Sequence, residues 1–153
     1  MDCLYVLYKL LLFYNLIVND LMSNDSHMPM NNGHVGIRAI VVDDDADVRE
    51  IFIELLQMND IKVVANGING KEAVELYKIH HPDFVFLDYL MPEYDGLYAI
   101  EKIREFDPRG KIILVSGSHF ERNVLGDTVK AIIKKPIEIS EIFKAINKII
   151  LAT

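Results

Sequence analysis

The chain has 153 residues, enough for one domain and an extension. Its net charge of −7 excludes general nucleic-acid binding, which needs a basic footprint. The single cysteine, Cys3, excludes an internal disulfide, and nothing in the composition demands an oxidising compartment.

Residues 1–35 differ in character from the rest. Leu4 to Val18 is an apolar run broken by Lys9 and Asn15, followed by the polar stretch SNDSHMPMNNGHVG, whose composition is that of a linker. The run is short for a membrane span, which needs roughly 20 residues. It also lacks the basic start and small-residue cleavage site of a signal peptide. Three readings remain open: a membrane-surface anchor, a marginal transmembrane helix, or sequence outside the working protein, with Met22, Met28 or Met30 as the true start. The last is favoured, because Lys9 and Asn15 each penalise insertion.

From Ile37 onward, short apolar runs alternate with helical periodicity. IRAIVV is read as a strand. Asp47 to Met58 is read as a helix, with Val48, Ile51, Phe52, Leu55 and Leu56 on one face. Ile61 to Ala65 is a second strand. The segment Gly67-Ile68-Asn69-Gly70-Lys71 is a turn and helix start, with Asn69 as N-cap. The helix begun there carries Ala73, Val74, Leu76 and Tyr77 on its apolar face and ends at His80 and His81, where basic groups suit the helix dipole. DFVFLD is a third strand, uniformly apolar as a strand covered on both faces is. MPEYDG is a loop, and Leu97 to Phe106 a helix closed by Asp107-Pro108-Arg109-Gly110. KIILVSGS is a fourth strand. A short helix is expected within Phe120 to Gly126. KAIIKK is a fifth strand, and Glu138 to Leu151 a last helix. Five strands alternating with helices predict an α/β domain over residues 36–153, a (βα)5 doubly wound parallel sheet with right-handed crossovers. The domain ends with the last helix and leaves no room in these residues for an output domain.

The residues at the strand ends carry the chemistry. Asp43 and Asp44 end the first strand, Asp88 the third, Ser116 the fourth, and Lys135, just before Pro136, the fifth. Ligands bind at the carboxyl ends of the strands in such sheets. Burying an unpaired carboxylate is costly, so three gathered there need a reason. Oxygen donors of this kind suit a hard divalent cation such as Mg²⁺. An aspartate can act as a nucleophile and become an acyl phosphate, while a lysine and a hydroxyl stabilise the phosphoryl oxygens. Asp45 is set apart as a helix cap whose side chain turns away from the others.

VVDDD, FLDYLMPEYDG, LVSGS and KKP, in that order, closely resemble the four signature regions of the receiver domain of two-component response regulators, over about Ile37 to Leu151. The resemblance implies a flavodoxin-like fold with strand order 2-1-3-4-5. It implies that Asp88 is the phospho-acceptor, that Asp44 ligates the metal directly and Asp43 partly through water, and that the backbone carbonyl of Leu90 adds a further ligand. Ser116 falls at the Ser/Thr switch position, and Lys135 is the active-site lysine. The implied donor is a phosphohistidine on a sensor histidine kinase or a histidine phosphotransfer protein, and the downstream protein is not specified. The implied location is cytoplasmic, with contact to the membrane only if residues 4–18 act as a tether. The chain departs from the family pattern at Ile132, where an aromatic ring is usual, so signalling by the swing of such a ring is not expected. The stretch from Ser116 to Lys135 is also a few residues short, which implies an irregular fourth helix.

Two rival readings meet opposition from particular residues. A degenerate receiver that binds partners without phosphate is opposed by the intact Asp43, Asp44, Asp88, Ser116 and Lys135. A metal-dependent phosphatase of the aspartyl-phosphate class needs a second aspartate two residues after the nucleophile as acid/base. That position is Leu90. The expected role is therefore a signalling module that catalyses only its own phosphorylation and dephosphorylation.

Overall fold

The structure, a computed structural model, describes residues 36–117 and 125–152. Five strands, β1 (Arg38–Val42), β2 (Lys62–Gly67), β3 (Phe84–Asp88), β4 (Ile112–Ser116) and β5 (Ala131–Lys134), form one parallel sheet in the order β2-β1-β3-β4-β5. This is the expected flavodoxin-like order. The helices are α1 (Ala46–Gln57), α2 (Gly70–His80), α3 (Gly96–Phe106) and α4 (Ile139–Leu151), with a short 3₁₀ turn at Gly126–Thr128.

Strand alternation sorts the core into two layers. Ala39, Val41, Phe84, Phe86, Ile113, Val115 and Ile133 face α1 and α4, where Phe52 meets Phe86 edge-to-face at 5.0 Å between ring centres. Ile40, Val42, Val85, Leu87, Ile112 and Leu114 face α2 and α3. β3 and β4 are buried along their whole lengths, which accounts for their continuous apolar runs.

Local chemistry sets the helix starts. The Asp45 side chain accepts hydrogen bonds from the Asp47 and Val48 amides and so caps α1, as expected. Asn69 caps α2 by accepting from the Glu72 amide, while Glu72 reaches back to the Ile68 amide. Asp95, expected only as part of a loop, caps α3 by accepting from the Tyr98 amide.

The structure departs from the expected elements only at their boundaries. β2 runs two residues past Ala65, because Asn66 and Gly67 pair with Val41 and Val42 and the ladder overrides their turn chemistry. The expected helix at Phe120–Gly126 falls almost wholly outside the described residues. The 3₁₀ turn comes directly after that stretch, and in it both the amide and the hydroxyl of Thr128 donate to the Leu125 carbonyl. The apolar run Leu4–Val18 also lies outside the described residues. Among the described residues, no helix is long and apolar enough to cross a membrane.

Candidate functional site

The strand order decides what meets at the carboxyl edge of the sheet. β1 and β3 are neighbours, with Val42 opposite Leu87, so the next residues, Asp43 and Asp88, emerge side by side. β4 lies beside β3 and ends at Ser116, and β5 lies beside β4 and leads into Lys135. The Lys135 amide donates to the Ser116 carbonyl at 2.9 Å, and the Lys135–Pro136 peptide is cis.

Asp43, Asp88 and Ser116 are the buried polar residues among those described. Asp44 is exposed. Asp43, Asp44 and Asp88 each offer a carboxylate oxygen within 4.8 Å of the others. The Lys135 Nζ donates to Asp43 Oδ2 at 2.7 Å and lies 3.2 Å from Asp88 Oδ1. Asp43, Asp44 and Asp88 therefore gather, with Lys135 against Asp43 and Asp88 and Ser116 joined to Lys135 through its backbone carbonyl, but Asp43 and Asp44 are not equivalent in burial. Asp43 is buried, and Asp44 is exposed. Leu90 sits in the loop after β3 with its side chain exposed, and Lys134 is exposed as expected.

Burial sets the electrostatics. Loss of water pushes the Asp88 carboxyl above its ordinary range, the ammonium of Lys135 opposes this, and the Asp43 charge adds to it. For Lys135, burial works against the charge, but the hydrogen bond to Asp43 and the two carboxylates more than offset it. Its pKa is raised and the ammonium is held. The result is a buried acid pair bridged by one fixed cation. An arrangement of this kind can present an oxygen nucleophile, bind a further cation and stabilise an anion.

Asp43 is held at every polar atom. Its amide donates to the Gly67 carbonyl at 3.1 Å. One carboxylate oxygen accepts from the Asp45 amide at 2.9 Å, and the other accepts from Lys135. Its carbonyl accepts from Arg49 Nη1 at 2.7 Å. Arg49 is not among the residues expected from sequence. The available signal was a cation in the first turn of a helix, where the dipole disfavours it. The loop after β3 is fastened by the Gly96 amide, which donates to the Tyr89 carbonyl, and by the Gly70 amide, which donates to the Tyr94 carbonyl.

Ile132, at the position where an aromatic was expected to be missing, is half-buried. It packs against the layer that contains Leu125 and Val129.

Known proteins resemble this chain in sequence and in fold. A family profile described as the response regulator receiver domain matches residues 39–147. The chain is 38% identical over 115 residues to the chemotaxis protein CheY of Bacillus subtilis, which covers 72% of this chain and 95% of that protein. It is 36% identical over 119 residues to the chemotaxis protein CheY of Thermotoga maritima, which covers 75% of this chain and 98% of that one. The fold matches a chain in the crystal structure of the CheX-CheY-BeF3-Mg²⁺ complex from Borrelia burgdorferi, with a TM-score of 0.70 and 24% identity over 76% of this chain and 90% of that one. With its profile match, its close relatives and its sheet order in agreement, the chain belongs to the receiver-domain family of response regulators, the phosphorelay modules of two-component signalling.

Proposed function

We propose that Asp88 is the phospho-acceptor of this receiver and that Asp43, Asp44, Ser116 and Lys135 support its chemistry. The observation that carries this reading is the buried Asp88 carboxylate at the end of the central strand, with the Lys135 ammonium 3.2 Å away and Asp43 beside it. A carboxylate oxygen of Asp88 attacks the phosphorus of a phosphohistidine. The new O–P bond forms as the P–N bond to the imidazole breaks, and the imidazole takes up a proton as it leaves. Lys135, kept charged by its two carboxylate neighbours, pairs with a phosphoryl oxygen, and the Ser116 hydroxyl donates to another.

The donor set fits Mg²⁺. It consists of carboxylate oxygens from Asp43, Asp44 and Asp88, one of them exposed so that waters complete the shell, and the Leu90 carbonyl lies on the adjoining loop. When bound, the ion neutralises charge on the phosphoryl group. The donor partner is a sensor histidine kinase or a histidine phosphotransfer protein, and the output is a conformational change read by a downstream protein in the cytoplasm. The chain acts on no external metabolite. Residues 1–35 stand outside this function.

The test is to incubate the protein with Mg²⁺ and a small phosphodonor and look by mass for an acid-stable, base-labile acyl phosphate. Wild type should gain one phosphoryl group and Asp88→Asn none. Labelling of that variant at the wild-type rate would remove Asp88 from the role.

A further inference from the structure

We propose that Arg49 is a positioning residue for the acidic cluster. By bonding the carbonyl of Asp43, it holds the turn between β1 and α1 in the conformation that presents the Asp43 carboxylate to Lys135 and to a divalent cation. The inference rests on reading Asp43, Asp44 and Asp88 as a cation site.

Arg49 stands in the first turn of α1, and its amide donates to the Asp45 carbonyl as part of that turn. A cation there is disfavoured by the positive end of the helix dipole. It is also half-buried, so its guanidinium has given up part of its hydration. Such placement is offset only if the group makes a strong bond. Among the described residues its guanidinium makes one hydrogen bond, Nη1 to the Asp43 carbonyl at 2.7 Å, and no ion pair. The acceptor is a backbone oxygen six positions earlier, outside the helix.

That oxygen has a particular place in the site. Asp43 is the first residue after β1, and its backbone is anchored on one side by the bond of its amide to the Gly67 carbonyl of β2. On the other side, the chain must turn sharply enough for the Asp45 amide to reach Asp43 Oδ1 at 2.9 Å while Oδ2 faces Lys135 at 2.7 Å. The peptide between Asp43 and Asp44 is the hinge of that turn, and its carbonyl is what Arg49 grips. Rotation of this peptide would move Asp44 and draw the Asp45 amide off Asp43 Oδ1, so the Asp43 carboxylate would lose the hydrogen bond that fixes its direction. A planar guanidinium donor is suited to hold a carbonyl in one direction, whereas a lysine ammonium is a point charge on a flexible stem.

Charge and geometry make opposite predictions. If Arg49 acted through its charge alone, removing it would make the site more negative, and Mg²⁺ would bind more tightly. If it positions Asp43, removing it loosens a ligand, and Mg²⁺ binds more weakly. Groups that orient metal ligands typically carry about ten- to a hundredfold in metal affinity. The loss of one bond to a backbone carbonyl belongs at about the lower end of that range.

The experiment titrates the full chain with MgCl₂ alone by calorimetry, for wild type, Arg49→Met and Arg49→Lys, with a thermal melt of each metal-free protein. Arg49→Met should weaken Mg²⁺ binding about tenfold, with Arg49→Lys between it and wild type. Arg49→Lys keeps the charge, so any loss there reports geometry. Binding by Arg49→Met that is unchanged or tighter overturns the inference and leaves the cation site standing, even if the melt shows lower stability. If Arg49→Met does not fold, the lysine variant decides alone, and wild-type affinity in it overturns the inference. Failure of wild type to bind Mg²⁺ overturns the reading of the site, and the inference with it.

Discussion

Asp88 is ionisable, almost fully buried and next to a second buried acid, with one ammonium between the two. Its carboxyl is pushed above the ordinary range, first by burial and then by the charge of Asp43, against the pull of Lys135. Between the unfolded carboxyl value of about 3.9 and the higher folded value, the folded protein holds more protons than the unfolded chain. Stability therefore falls as pH rises through that window and stays lower above it. Asp88→Asn removes the loss, so the metal-free variant should melt about 2–4 °C higher than wild type at neutral pH. The difference should vanish below the unfolded value, and calorimetric melts at the two pH values check it. An equal or lower Tm at neutral pH would mean that Lys135 compensates fully. Asp44→Asn should change Tm much less, because Asp44 is exposed. The sequence motif marked Asp43 and Asp44 as an acidic pair toward a metal and set Asp45 apart, but it gave no sign that the first two differ in burial. Asp45 was recognisable as a cap from its place before a helix, whereas the burial of Asp43 depends on β2 and β5, which lie elsewhere in the chain.

At the level of elements, the site depends on how closely the loop after β3 packs beneath it. A Cβ on Gly96 would lie 2.7 Å from the Asp88 carbonyl oxygen and 2.8 Å from the Tyr89 Cα, both backbone atoms that cannot swing aside. α3 must therefore begin at a residue without a side chain if its first turn is to abut the end of β3. Gly96→Ala should cost about 1–3 kcal/mol in urea unfolding, as forced overpacking does. It should also slow labelling of Asp88 by a small phosphodonor, because the displaced backbone is that of the acceptor. A stability within ~0.5 kcal/mol of wild type would show that the loop yields freely. The sequence marked MPEYDG as a loop from Pro92 and Gly96, but no local signal showed that the glycine meets the strand end.

At the scale of the whole molecule, the two apolar layers draw on residues from Ile37 to Ile149. The family match covers residues 39–147. A chain begun at Met30 retains every residue of both layers and of the site. It should unfold in one cooperative transition with the Tm of the full chain and should label at the same rate. Loss of cooperativity, or a Tm lower by more than about 4 °C, would show that the first 29 residues contribute to the fold.

The features determined by sequence alone were local or periodic. Uniform apolar runs specified buried strands, 3.6-residue periodicity specified the helices, and Asn69 and Asp45 specified helix starts. The ordered motifs at strand ends then pointed to the site, because a parallel sheet brings all its carboxyl ends to one edge. The pairing of strands decided the rest. β2 lengthened through Asn66 and Gly67 because a ladder partner was available, which no turn propensity could reveal. Lys135 reached Asp43 across 92 positions because β1, β3, β4 and β5 set them at one mouth. Burial raised the Asp88 carboxyl, and it separated Asp43 from Asp44, adjacent residues of the same type. Arg49 found the Asp43 carbonyl only once α1 had folded back over the end of β1. Propensity acts over a few residues and can be read from them, whereas desolvation and side-chain contact depend on what the rest of the chain places nearby.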